Sequence, residues 1–493
     1  MPEKDSITTS GWGLFLNVGL LILLGSLTYS VYPVVVNMVA LISLIALFYY
    51  NISNENHVSV YIQLLICNFF IFGAKFGGNY NLAMILALTL HFIAKGYIGG
   101  LRRSSFTGVQ QYMLLLWWLL QVLSVFSGNS FPLLSKLNAV LAFTIVISIF
   151  YFSSKIEFSI QDIFRILKAI MIFFLYMFLV ALNQRYVFIN LDTPFFPLNA
   201  ESIDYDLGII RSTSTLGNFE AFAEFSFSLI VILIPGVVSG SFKRRNRNFY
   251  LLSLLTVLFA LVSIVLTATR SSMFLLPIAV LAAMFLMGRR IKLRAIFQLL
   301  FASIILLGLN LAFDIVNFSV FVERSQDIEM DKLTVEKLIS GQAMNRGEVF
   351  SYALEQVKES NGIIGRGYFT PIDEYRKVHF PMDNIDDNIA DYHNIFLSSY
   401  VLWGALGSIC IIYLFSSSIM RGLKTYYSFS DKDDFLRDVV LGLSLMFGFF
   451  IINQLKIQFI RDVNYFVIIV LLLGLLLNTA NLLISSSKNL SYQ

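Results

Sequence analysis

KRRNRNFYLLSLLTVLFALVSIVLTATRSSMFLLPIAVLAAMFLMGRRIKLR (243–294) holds two uninterrupted apolar runs, flanked by clustered Lys and Arg and joined by a turn carrying one Arg. A bilayer core about 30 Å thick takes roughly 20 apolar residues per helix. The runs 248–268 and 270–288 meet that length. Two crossings return the chain to its starting side. Lys243-Arg244-Arg245 with Arg247 therefore shares a side with Arg289-Arg290, Lys292 and Arg294. Short loops rich in Lys and Arg stay cytoplasmic, which puts Arg270 and its turn outside.

The same pattern extends along the chain. Hydrophobic residues make up 57% and charged residues 13%, against about 25% charged in a soluble domain; mean hydropathy is +0.74. A soluble enzyme is excluded. Further spans are expected near 11–28, 31–50, 58–75, 80–98, 110–127, 135–154, 162–182, 218–239, 294–315, 394–418, 436–455 and 463–485. The total is about fourteen helices, apolar all round, unlike the alternating segments of a membrane barrel. The fold class expected is an all-α polytopic membrane protein with both termini cytoplasmic. No cleavable signal peptide is expected: one Lys precedes the first run and no A-x-A site follows it. Cys67 and Cys410 fall inside expected spans and offer no disulfide framework. A net charge of +4 argues against a nucleic-acid partner.

The chain divides into N-terminal spans (1–182), an external segment (183–217), core spans carrying outward arginines (218–315), a large external loop (316–393) and C-terminal spans (394–493). The large loop holds more Asp and Glu than Lys and Arg. Within it, Val349, Phe350, Ala353, Leu354 and Val357 recur at helical spacing, and NGIIGRGYF (361–369) supplies the glycines of a tight turn. Loops of this length are usually functional or disordered. No internal repeat is visible, and no broken helix of the kind transporters use is expected.

Ionisable residues at the hydrocarbon boundary call for an explanation. Arg270 is either a snorkelling anchor or a ligand for an anion; its outer position, against the positive-inside bias, favours the ligand. Arg211 stands just before a span and is also outside. Glu220 and Glu224, spaced i, i+4 on one helix face, read as ion-pair partners of the arginines more readily than as catalytic carboxylates. His393, beside Asp391 where the large loop re-enters the membrane, has a suitable pKa to take a hydroxyl proton near neutrality. Asp383, Asp386 and Asp387 read as a solvated acidic loop more readily than a Ca²⁺ or Mg²⁺ site. Lys456, Gln458, Arg461 and Asp462 suit a substrate groove or interface anchoring.

Four stretches resemble one family, the O-antigen ligase/polymerase superfamily of lipid-linked glycan transferases. VLTATRSSMFLLPIAVLAAMF (265–285) resembles its LTxSRxxxL span. AMNRGEVFSYALEQVKESNGIIGRGYF (343–369) resembles its Arg, amphipathic helix and G-x-G loop. HNIFLSSYVLWGALG (393–407) resembles HNxxLxxxxxxGxxG, and RSTSTLGNFEAFA (211–223) more loosely resembles R-x-x-G-x-x-x-N-xx-A. TRS stands for the usual SRG, and NFE for NPN.

The resemblance implies a GT-C-like membrane glycosyltransferase that takes glycan from undecaprenyl pyrophosphate to an acceptor hydroxyl, without a cofactor or metal. On that reading Arg211 and Arg270 hold the pyrophosphate, His393 is the general base, and Arg346, Arg366, Glu220, Glu224 and Asp391 complete the substrate contacts. Polymerase and ligase need the same residues; the span count and large loop favour a polymerase of O-antigen, capsule or exopolysaccharide in the bacterial inner membrane. A chain-length regulator and a flippase are the partners implied. The rival from another class is a lipid-linked oligosaccharide flippase, which would carry charge along a central cavity; here the mid-membrane region looks nearly free of charge.

Overall fold

A computed structural model describes residues 57–69, 105–127, 132–186, 203–204, 209–292, 362–367, 394–429, 433–455 and 463–488, with isolated positions at 19, 42, 90, 296, 297, 304 and 358. The elements in chain order are α1 (His57–Cys67), α2 (Gly108–Phe126), α3 (Leu133–Ser153), α4 (Ile160–Tyr186), a two-residue antiparallel ladder of β1 (Ile203–Asp204) and β2 (Ile209–Ile210), α5 (Phe219–Ser239), α6 (Ser241–Arg245), α7 (Arg247–Leu266), α8 (Arg270–Met287), α9 (Ile395–Ser428), α10 (Asp434–Asn453) and α11 (Val463–Lys488). Among the described residues eight helices are long and apolar enough to cross a membrane, and α8 falls just short. Expected spans at 11–28, 31–50, 80–98 and 294–315 lie outside the described residues, as does most of 58–75 past Phe69.

Helix α5 is the hub. Its most apolar stretch is buried throughout, packed by α7, α8 and α10. Gly442 of α10 lets that helix press its backbone against the Ile232 carbonyl, where any Cβ would collide. Helices α2 and α3 are largely exposed on their outer faces, with Tyr112, Leu115, Leu119, Leu123 and Leu134 facing out as lipid-facing residues do.

One end of the bundle, the basic end, is closed by ion pairs. Arg290 meets Asp434 and Asp438, both at 2.8 Å. Arg244 meets Asp434 at 2.5 Å, and Ser239 Oγ donates to Asp438 at 2.5 Å. Arg437 donates to the Tyr426 carbonyl at 3.0 Å and lies over that residue's ring. The basic loops that set the orientation are therefore partly neutralised by the first turns of α10. Asp438 and, at the other end, Glu224 are buried.

Helix α9 differs most from expectation. It runs to Ser428, ten residues past the expected end, and it is broken at Gly404, whose φ of 69° and ψ of −170° are non-helical. A break frees backbone groups that hydrocarbon cannot satisfy, so it survives only where protein supplies partners. The turn 362–367 supplies them. Arg366 N donates to Val401 O at 2.7 Å and Gly367 N to Leu402 O at 3.1 Å. In return Ala405 N donates to Gly362 O at 2.9 Å and Leu406 N to Ile363 O at 3.4 Å. Approach this close needs bare backbone: a Cβ on Gly365 would lie 2.5 Å from the Gly404 nitrogen, and one on Gly404 would strike the Ile363 carbonyl. Gly404 also holds a backbone region that is essentially glycine's alone. Trp403, beside the break, packs edge-on against Trp117 at 6.0 Å.

Two predictions follow from these contacts. Gly404→Ala should unseat the 362–367 turn and abolish function while the protein still inserts, read as new protease sensitivity of the external loop. Asp438→Ala, which removes one of the two carboxylates paired with Arg290 and the acceptor of Ser239, should cost about 1–3 kcal/mol, seen as a lower melting temperature in detergent, whereas Lys243→Ala on the exposed rim should shift it little.

Candidate functional site

The end opposite the basic loops gathers the start of α5, the turn between α7 and α8, the start of α9 and the end of α10. The segment Arg211–Gly217 runs across it as a fixed platform. Ser212 N donates to Leu266 O at 3.3 Å, tying the segment to the end of α7. Ser212 Oγ donates to Ala181 O at 3.0 Å and Ser214 Oγ to Met177 O at 2.6 Å, tying it to α4. Gln184, on the last turn of α4 and fully buried, clasps the same strip. Its Oε1 accepts Thr213 N at 3.0 Å and Ser214 N at 2.8 Å; its Nε2 donates to Thr213 Oγ1 at 3.2 Å and Ser214 O at 3.3 Å. Ser214 is held at a φ of 52°, a left-handed conformation that costs a non-glycine residue about 1–2 kcal/mol.

On this platform Arg211 is half-buried. Its Nε donates to Thr267 O at 3.0 Å, and its guanidinium stacks 3.3 Å above the Phe219 ring. Thr267 opens the turn that leads through Ala268, with φ 50°, to Arg270 at the first position of α8. The structure thus brings the Arg211 side chain to the turn that bears Arg270; the Arg270 side chain itself lies outside what is described. Helix α5 starts on a cap made by Asn218, whose Oδ1 accepts Glu220 N at 2.8 Å and Ala221 N at 3.1 Å.

The two acids of α5 part company. Glu220 is half-buried in the first turn. Glu224, one turn deeper, is 1% exposed. Its carboxylate accepts the Asn453 side-chain amide, and that of Gln454 at 3.2 Å, both at the end of α10. Gln454 in turn accepts Ile395 N on its main-chain oxygen at 2.9 Å, and Asn394 caps α9 by accepting Phe396 N at 2.9 Å and Leu397 N at 3.1 Å. One chain of polar contacts therefore joins α5, α10 and the start of α9. His393 and Asp391 directly precede that start, and they, like Arg346, the amphipathic stretch 345–359 apart from position 358, the acidic residues 383–387 and the polar stretch 456–462, lie outside the described residues. Arg366 sits in the docked turn, where its carbonyl accepts Ser127 Oγ at 3.3 Å. Among the described residues no three His, Cys, Asp or Glu side chains converge as a metal site.

Sequence reasoning missed Gln184, Asn453 and Gln454. Each is a polar residue at the end of an apolar run, a position where an interfacial side chain is ordinary; a cue was that all three are amides, able to donate and accept where neither water nor charge is at hand. Glu224→Ala would leave two buried amides without their acceptor, each worth about 1–3 kcal/mol. The expected result is a lower melting temperature, largely restored by Glu224→Gln, measured by thermal unfolding in detergent.

A family model described as O-antigen ligase matches residues 255–412. The match takes in the stretches 265–285, 343–369 and 393–407 and begins after 211–223. No curated protein sequence matches the chain at significance.

Proposed function

From the premise that residues 255–412 carry an O-antigen ligase-type segment of the O-antigen ligase/polymerase superfamily, we propose that this chain polymerises undecaprenyl-pyrophosphate-linked oligosaccharide repeat units at the outer face of the bacterial inner membrane. The observation that carries the reading is the hydrogen bond from Arg211 to the Thr267 carbonyl, which holds one outward arginine against the turn leading into the other. A departing pyrophosphate concentrates negative charge, and Arg is a permanently charged donor whose planar fork matches phosphate oxygens.

Arg211 and Arg270 would bind the pyrophosphate and stabilise it as the glycosidic bond breaks. His393 would take the proton of the acceptor hydroxyl as its oxygen attacks the anomeric carbon, and attack opposite the leaving group inverts that centre. Arg346 and Arg366, on the external loop, would hold the glycan or its phosphates, with Glu220, Glu224 and Asp391 completing the substrate contacts. Glu224 would contribute through the amides it binds. A GT-C-like bundle of about fourteen helices with cytoplasmic termini fits this role, with a chain-length regulator and a flippase as partners. The match to an O-antigen ligase family favours a second reading, transfer of finished glycan to lipid A core.

Expression in a polymerase-null strain tests the proposal. Wild type should restore a ladder of chain lengths on a gel, and His393→Ala, Arg270→Ala and Arg211→Ala, at matched membrane abundance, should each lose about 10²-fold or more of that activity, as removal of a preorganised charge or base does. Attachment of preformed chains to lipid A core in a ligase-null strain would establish the second reading instead. Full activity in all three variants would remove the site.

A further inference from the structure

We propose that Gln184 is a positioning residue that aims Arg211 at the pyrophosphate, an inference that rests on the reading of Arg211 as a pyrophosphate ligand. Gln184 closes the last turn of α4, which needs nothing from its side chain to end. A leucine has a similar size and lacks the amide. The amide bonds Thr213 and Ser214 through both its oxygen and its nitrogen. Two of these bonds hold adjacent backbone N–H groups on a single oxygen, a geometry that fixes the Thr213–Ser214 peptides and keeps Ser214 at a left-handed φ of 52°.

Arg211 lies two residues upstream of that clasp, and the intervening Ser212 is fixed from both sides, by Leu266 O of α7 and Ala181 O of α4. The backbone that carries the guanidinium therefore has no slack. The guanidinium direction follows from that backbone, from Thr267 O and from the Phe219 ring. Loss of the Gln184 amide would release Ser214 toward an ordinary conformation and let the strip shift by a fraction of an ångström at Arg211, enough to spoil a charge contact preorganised for a leaving group. Structural strain is here retained next to a charged side chain, a pattern common at functional sites.

The test is a double-mutant cycle in purified wild type, Gln184→Leu, Arg211→Ala and the pair, with turnover on a lipid-pyrophosphate-linked glycan donor and inhibition by inorganic pyrophosphate as readouts. Gln184→Leu should lower turnover about tenfold to a hundredfold and raise the inorganic pyrophosphate concentration needed for inhibition, yet cost less than twofold more when Arg211 is already Ala. Gln184→Glu, which keeps the acceptor for both N–H groups, should recover much of the loss. Asp438→Asn, at the basic end, serves as a control for stability alone and should leave pyrophosphate inhibition where it is. If Gln184→Leu does not accumulate in the membrane, Gln184→Asn, whose shorter side chain cannot reach both N–H groups, carries the same cycle. Multiplicative losses in the pair, or unchanged pyrophosphate inhibition in the Gln184 variants beside a defective Arg211→Ala, would overturn the positioning role and leave the Arg211 reading intact. Wild-type behaviour of Arg211→Ala would overturn both.

Discussion

The break in α9 at Gly404 is the constraint around which the membrane domain and its large loop are reconciled. Inside hydrocarbon an unpaired N–H or C=O costs several kcal/mol, so a helix interrupted roughly 14 Å from its start, at 1.5 Å per residue, must find four partners in protein. The 362–367 turn gives them in reciprocal fashion, two donated and two accepted. The same contacts that permit the break fix where the long loop meets the bundle. They also set Trp403 against Trp117, joining the loop's anchor to α2.

The two ends of the bundle solve the problem of polarity differently. The basic end uses opposite charges: Arg244 and Arg290 against Asp434 and Asp438, at the membrane edge where long side chains still reach water. The opposite end uses neutral amides. Gln184 holds the Arg211 platform, while Asn453 and Gln454 hold Glu224. Amides fix geometry without adding charge of their own, so this end holds its backbone firmly through neutral groups.

Much of the fold was legible because hydrocarbon imposes a length and a composition. Helices α2, α3, α5, α7, α8 and α10 begin and end within a few residues of the apolar runs that announce them. The β1–β2 ladder between α4 and α5 and the extension of α4 to Tyr186 left no such signal, since neither depends on lipid. The break at Gly404 was not legible either: Gly404 and Gly407 sit in an apolar run where glycine is ordinary in membrane helices, and the partners that make the break possible are 37 to 42 residues upstream in sequence. Of the site, the arginines and Glu224 stood out because charge near lipid is conspicuous. Gln184 did not, because the meaning of its side chain lies wholly in which backbone it holds.

The docking of the 362–367 turn through main-chain groups has a consequence for how such a protein diversifies. Hydrogen bonds from peptide units do not depend on which side chains flank them, apart from the bare positions at Gly365 and Gly404. A loop anchored this way can exchange nearly all of its other residues without losing its seat on the bundle. The attachment is conservative and the remainder permissive, so the loop can drift in sequence while its seat on the bundle stays as it is.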